Sequence, residues 1–273
     1  MATLIPNYTT AQIAVLSTAQ IAGLTTEDWA AFNTAQIAAL TGTQIPAIST
    51  LGLRALGTTQ FAAFQPADVS AFTASQVQAF ANNQLQAMSS SQIGAFVPTQ
   101  VAALSTAQLR AIDAADYTAL ATNTVASISG TQIASLATAQ LAALSSTQVS
   151  ALSTAAVRAI ATSQINALAT ADVAALTSAQ IGALSTAQLA ALSTANVRAI
   201  DTADMAALGT AGVAALSGTQ LQALTSAQVS ALGTNQVAAL STFQIASLGT
   251  AQVAALTAAD AAVLSNAQLA ALG

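Results

Sequence analysis

The sequence predicts an all-α solenoid built from many very short helices. An eight-residue phrase close to Ser-Thr-Ala-Gln-Ile-Ala-Ala-Leu runs from Thr9 to Leu272 as 33 consecutive octads, without insertion or deletion. Most octads start with a residue type that caps helices, and every octad ends with an apolar residue. A fixed short period of this kind is typical of repeat proteins, in which each unit packs only on its neighbours.

The first half of each octad predicts a helix start. The first position is Ser, Thr, Asp, Asn or Gly in 26 octads, and the fourth is Gln in 22 and Asp in 6. This spacing favours a capping box, in which the first side chain accepts from the fourth N–H while the fourth side chain accepts from the first. Pro66 and Pro98 stand at the second position, where proline is tolerated. Pro46 stands at the sixth, so we expect a local distortion there.

The second half of each octad predicts the core. The fifth position is large and apolar except at Ala261, and the eighth is Leu, Ile, Phe or Met in all 33 octads. The seventh position is small except at Val15 and Val263, which indicates a close approach of neighbouring backbones. The links between helices are too short for a full reversal, which favours a coil of about three octads per turn. We therefore expect an N-terminal lead over 1–8 and one continuous solenoid over 9–272.

A β-solenoid is the alternative fold, because short repeats also build parallel β-helices. Alanine and glutamine are poor strand residues, so the helical solenoid is favoured. No run of residues approaches the ~18 apolar residues of a membrane span. With 5% charged residues and a net charge of −5, the chain is not expected to bind nucleic acid.

The acidic residues all fit structural positions of the octad. Glu27 lies in a first helical turn, where negative charge is favoured. Asp113 and Asp201 stand at the first position, and the aspartates that replace the fourth-position glutamine are Asp28, Asp68, Asp116, Asp172, Asp204 and Asp260. The chain has no His, Cys or Lys as a catalytic partner, and no glycine-rich loop completes a calcium site. We therefore predict no enzyme activity and no catalytic, cofactor-binding or metal-binding residue.

The octads STAQIAGL, STAQLAAL and GTAQVAAL carry a family resemblance. The chain resembles the alanine-, threonine- and glutamine-rich octapeptide-repeat arrays of large proteobacterial secreted or surface, adhesin-like proteins. The resemblance implies a structural or adhesive role, and an extracellular or cell-surface location. A cytoplasmic location is the alternative.

Two functions follow as hypotheses. The first is a non-catalytic structural protein, a rod, stalk or filament subunit that assembles end to end. Its basis is that terminal repeats of solenoids normally carry a polar cap, whereas the octads here continue unchanged to Leu272. The second is an adhesive or ligand-binding surface for a peptide, a glycan or ice along a Thr/Gln face, because the second position is Thr in 19 octads.

Overall fold

The computed structural model describes residues 3–272, and every regular element in that range is helical. The predicted all-α solenoid of short helices is confirmed, and the β-solenoid alternative is not supported, since residues 3–272 contain no strand. The chain divides into two compact units, Met1–Leu144 and Ser145–Gly273.

The first unit contains α1 to α15 and three 3-10 helices. The 3-10 helices are Ile5–Asn7, Ile45–Ala47 and Ala114–Ala119. The α-helices are, in order, Thr10–Ala14, Thr18–Ala22, Thr26–Ala30, Thr34–Ala38, Thr50–Ala55, Thr58–Phe61, Pro66–Val69, Ala74–Gln78, Asn82–Gln86, Ser90–Gly94, Pro98–Ala103, Thr106–Ala111, Thr122–Val125, Gly130–Ser135 and Thr138–Ala142.

The second unit contains α16 to α29 and two 3-10 helices. The 3-10 helices are Ile165–Ala167 and Thr202–Leu208. The α-helices are, in order, Ser146–Ala151, Thr154–Ala159, Thr170–Ala174, Ser178–Ala183, Thr186–Ala191, Thr194–Ala199, Gly209–Ala214, Gly218–Ala223, Ser226–Ser230, Thr234–Ala238, Thr242–Ala246, Thr250–Val253, Ala258–Val263 and Asn266–Ala270.

Most of the predicted helix starts form as expected, although the octads 113–120, 161–168 and 201–208 form 3-10 helices. Ser17 has extended backbone angles, and its hydroxyl accepts from the N–H of Gln20 at 3.2 Å while the Gln20 side chain accepts from the Ser17 N–H at 2.8 Å. Pro66 and Pro98 are the first residues of α7 and α11. The octad with Pro46 forms only a short 3-10 helix, which confirms the expected distortion.

Helices three octads apart pack on each other in both units. In the first unit α3 packs on α5, and α10 packs on the 3-10 helix Ala114–Ala119. In the second unit α17 packs on α19, and α25 packs on α28. The predicted coil of about three octads per turn is therefore confirmed in each unit.

The core consists of the fifth and eighth side chains. The fifth-position residues Ile37, Leu53 and Val197 have no exposed surface, and the eighth-position residues are nearly as buried. Four phenylalanines of the first unit form edge-to-face contacts with ring centroids 4.7–5.6 Å apart, namely Phe61, Phe64, Phe72 and Phe80. Apolar burial therefore follows the predicted stripe.

The seventh residue lies against the sixth position three octads earlier, which leaves little room for a larger side chain. A Cβ atom placed on Gly94, at a sixth position, would lie 2.8 Å from the carbonyl oxygen of Ala119, at the seventh position three octads later. In the second unit, where Gly182 and Ala207 occupy the equivalent positions, a Cβ atom placed on Gly182 would lie 3.1 Å from the carbonyl oxygen of Ala207. Val15, one of the two large seventh residues, is 80% exposed, so no neighbour crowds it.

Residues 5–8 take the place of the second half of an octad. Ile5 is buried like other fifth-position residues, and the side-chain amide of Gln36 donates to the carbonyl oxygens of Ile5 and Tyr8, both at 2.8 Å. Gln44 makes the same two bonds to Ile13 and Leu16. The octad count therefore extends back into the segment that we expected to be a lead, while the division into 1–8 and 9–272 stays a prediction.

Candidate interaction faces

The fourth-position glutamine joins two distant helices. The Oε1 atom of Gln140 accepts from the N–H of Ala137 at 2.9 Å, which caps its own helix. Its Nε2 atom donates to the carbonyl oxygens of Leu109 at 3.0 Å and Ile112 at 2.7 Å. These oxygens belong to the end of α12, 31 and 28 residues earlier, where a helix leaves carbonyls without partners.

This arrangement, here called the glutamine clamp, recurs in both units. In the second unit Gln220 accepts from the N–H of Ser217 and donates to the carbonyls of Leu189 and Leu192. Sequence reasoning identified only the accepting half of the clamp. The donating half explains why Gln predominates at this position, because a carboxylate cannot donate; the aspartates that replace it give up the clamp.

The clamp also changes the surface expected from the sequence. Clamped glutamines are buried, and Gln100 and Gln188 are each 1% exposed. The predicted Thr/Gln face is therefore wrong with respect to glutamine. The second-position threonines do lie outside, as at Thr186 and Thr210.

Three of the six fourth-position aspartates accept a hydrogen bond from a serine. Ser90 donates to Asp116, Ser146 donates to Asp172 at 2.7 Å, and Ser178 donates to Asp204. In each pair the serine precedes the aspartate by 26 residues and stands at the second position three octads earlier. Three of the four second-position serines stand 26 residues before a fourth-position aspartate, so the pairing is visible in the sequence, but it was not predicted.

Asp68 is one of three fourth-position aspartates without this serine. The other two, Asp28 and Asp260, accept from the hydroxyls of Thr25 and Thr257 in their own octads. The residue 26 positions before Asp68 is Gly42, and the buried Oδ2 atom of Asp68 has no hydrogen-bond partner within residues 3–272. Burial raises the pKa of Asp68 above its ordinary value. A Cβ atom on Gly42 would lie 3.8 Å from Asp68 Oδ1, so a hydroxyl group would fit between them.

A second exception lies at Gly52, which stands where a clamp glutamine is expected. The Trp29 indole fills the space of the missing side chain, because a Cβ atom on Gly52 would lie 2.4 Å from Trp29 Cδ1. Trp29 is completely buried, and among the residues that the structure describes its indole N–H has no hydrogen-bond partner. Packing volume replaces hydrogen bonding at this octad.

Asp113 and Asp201 precede 3-10 helices instead of α-helices. The Asp201 carboxylate accepts from the N–H of Ala203 at 2.9 Å, whereas Asp113 makes no side-chain cap. In a capping box the first and fourth side chains touch, as Thr25 and Asp28 do at 2.8 Å. With aspartate at both positions two carboxylates would meet, and like charges disfavour that contact.

No group of three or more His, Cys, Asp or Glu residues is close enough to hold a metal ion among residues 3–272. The absence of catalytic, cofactor and metal residues stays a prediction. Over the same range, none of the helices combines the length and apolar character needed to cross a bilayer.

The first octads present spare hydrogen-bond donors. Gln12 and Gln20 cap their own helices through Oε1, and within residues 3–272 their Nε2 atoms have no carbonyl partner. Both side chains are exposed, and the eighth-position residues Leu16 and Leu24 beside them are only half-buried. We call residues 4–28 the donor face.

The last octads present spare acceptors. Gln268, in the last octad, donates to the carbonyl of Leu240 at 2.7 Å. Within residues 3–272 no glutamine clamps the carbonyls of Leu248, Leu256 and Leu264. Leu269, at a fifth position, is 45% exposed. We call residues 245–272 the acceptor face.

Comparison with known families now identifies the repeat. The model of the ALTTAQ repeat matches residues 61–98, 133–170, 165–199, 197–234 and 221–250, which is more than half of the chain. The chain belongs to the ALTTAQ repeat family. The six letters correspond to the seventh, eighth and first four positions of the octad, so the ALTTAQ repeat contains both the N-cap and the clamp glutamine. No curated protein matches the chain in sequence.

Proposed function

We propose that this ALTTAQ repeat protein is a non-catalytic structural subunit, a rod, stalk or filament component, that associates end to end through its donor and acceptor faces. The observation that carries the proposal is the complementarity of the two faces. Within residues 3–272, Gln12 and Gln20 have amide donors without carbonyl partners, whereas the carbonyls of Leu256 and Leu264 lack the donors that clamped octads receive.

Association would satisfy both faces. The half-buried Leu16 and Leu24 on one copy and the half-exposed Leu269 on the other would leave water. When two copies associate through a donor face and an acceptor face, the dimer still has one free donor face and one free acceptor face. Further copies can therefore add to it. The expected product is therefore an open chain of copies or a closed ring.

Sedimentation velocity over a wide concentration range tests this function. We expect the mean mass to rise with concentration, and electron microscopy to show linear assemblies at high concentration. The clamp donors and acceptors are uncharged, so added salt should weaken the association little. A chain that stays monomeric at millimolar concentration, without filaments, would contradict the proposal.

An adhesive surface is the second candidate. Thr170 and Thr194 are exposed at equivalent positions of α18 and α21, which pack on each other, and Thr186 and Thr210 repeat this on α20 and α22. Such columns of hydroxyl groups fit a glycan, a peptide or ice. Glycan and peptide binding assays and a thermal-hysteresis measurement test this candidate, and negative results in all three would dismiss it. By the family resemblance we propose an extracellular or cell-surface location for either function.

A further inference from the structure

We propose that the two faces meet in one register, in which Gln12 of one copy clamps Val253 and Leu256 of a second copy, and Gln20 clamps Ala261 and Leu264. This inference rests on the proposed end-to-end association and specifies its contacts. In this register the eight-residue period continues across the junction, so that residue 1 of one copy is counted directly after residue 272 of the other.

The clamp geometry determines the register. Within each unit a clamp glutamine bonds the carbonyls 31 and 28 residues before it, as Gln140 and Gln220 do. Residues 5–8 already occupy the second half of an octad, so the count across the junction starts at residue 1. The same two intervals, continued across the junction, lead from Gln12 and Gln20 to the four carbonyls named above.

The other two fourth-position residues of the donor face are Leu4 and Asp28, and neither can donate a clamp. Leu4 is 63% exposed and would add apolar contact at the junction. The junction therefore contains two clamps.

The large seventh residues support the same register independently. Val15 and Val263 are the two exceptions to a small seventh position, and they are 80% and 43% exposed. In the proposed register the octad 9–16 of one copy packs on the octad 257–264 of the other, three octads apart in the count. Both exceptions therefore fall in octads that face each other across the junction, where added side-chain volume can be buried.

A disulfide between copies tests the register. In both units a sixth position lies beside the seventh position three octads later, and the Cβ atoms of Gly182 and Ala207 would be 3.9 Å apart. Disulfides need about 3.8 Å. Across the junction the equivalent pair is Ala262 and Val15, and the chain contains no cysteine. We expect the double variant V15C/A262C to form a ladder of disulfide-linked oligomers on mild oxidation.

Matched variants make the result specific. V15C/A254C has the second cysteine one octad out of register and should form no ladder. G182C/A207C is the positive control for the geometry and should form a disulfide within one chain. A ladder from V15C/A254C as strong as that from V15C/A262C would overturn the register.

The clamps themselves are tested by Q12E/Q20E. Each change keeps an oxygen that caps its own helix but removes the donor and places a charge against a carbonyl. We expect association to weaken at least about tenfold, as the loss of one or more hydrogen bonds implies. The control A139E/A187E adds the same charge at exposed third positions, as Glu27 does naturally, and should leave association unchanged.

The outcomes separate the register from the function. If the wild-type chain does not associate, the proposed function fails and the register fails with it. If the wild type associates but Q12E/Q20E matches A139E/A187E, the function stands and the register is wrong. Circular dichroism of each variant at low concentration establishes that the monomer is folded.

Discussion

The clamp predicts a large difference between two identical substitutions. Gln140→Glu, in the interior of the first unit, keeps the oxygen that accepts from Ala137 but removes the donor to Leu109 and Ile112. Gln12→Glu, on the donor face, makes the same chemical change where no carbonyl partner exists within residues 3–272.

The magnitude follows from the groups left without partners. The carbonyl of Leu109 retains bonds from the Ile112 N–H and the Tyr117 hydroxyl, whereas the carbonyl of Ile112 loses its clamp donor. One buried unsatisfied carbonyl costs about 1–3 kcal/mol, and Gln140→Met also removes the oxygen that caps the Ala137 N–H. This neutral variant should therefore lower the free energy of unfolding by about 2–3 kcal/mol. Gln140→Glu also buries a charge beside two carbonyl oxygens and should cost about 3–5 kcal/mol at pH 7.

Urea denaturation of dilute protein measures these differences. We expect Gln12→Glu to cost less than about 0.5 kcal/mol, because its side chain is exposed. The deficit of Gln140→Glu should shrink at pH 4, because burial raises the pKa of the introduced carboxyl group and its protonated form can donate one bond. Equal costs for Gln140→Glu and Gln12→Glu at pH 7 would refute the clamp.

Three further predictions concern the exceptions to the repeat. Gly42→Ser should supply the missing hydroxyl to Asp68, raise the free energy of unfolding by about 1 kcal/mol and lower the Asp68 pKa. A carboxyl NMR titration measures this pKa, and an unchanged value would argue against the pairing. Because the folded-state pKa of Asp68 is raised, its stabilising protonation is lost as the pH rises from its ordinary value of 3.8 through the raised one. Asp68→Asn should remove this loss of stability with rising pH, because an amide at this position is uncharged and can donate to a carbonyl, as Asn196 does at 3.2 Å. Unfolding free energies measured between pH 3 and 7 test this expectation. Gly52→Gln should destabilise the wild type by more than about 2 kcal/mol, because the new side chain clashes with Trp29. In a Trp29→Ile background the same change should be stabilising, because the clamp can form there. A double-mutant cycle that shows no coupling between the two positions would contradict this prediction.

The capping chemistry was predictable because its contacts are local. Ser17 and Gln20 are three residues apart, so their reciprocal hydrogen bonds follow from spacing and residue type alone. The apolar stripe of fifth and eighth residues is equally local. The distortion at Pro46 was predictable for the same reason, since proline removes a donor from its own helix.

The clamp and the serine–aspartate pairs were not predicted, because they join residues 26 to 31 positions apart. Those intervals depend on how many octads complete one turn, which no single octad encodes. The prediction of a Thr/Gln face was wrong about glutamine for this reason. Glutamine is polar and was expected outside, whereas the Gln140 side chain accepts from one backbone N–H and donates to two carbonyl oxygens of a neighbouring turn. A search for covarying positions at intervals of 26 residues would have found the serine–aspartate pairs.

The sequence by itself determined where most of the helices begin, which side chains form the core, and that the octads stack, because these depend on forces acting within eight residues. Only the tertiary structure decided that each turn brings a glutamine against the end of a helix about four octads before it. The reason is that the end of a short helix leaves carbonyl oxygens unsatisfied, and the residue that satisfies them is determined by how the turns of the coil pack.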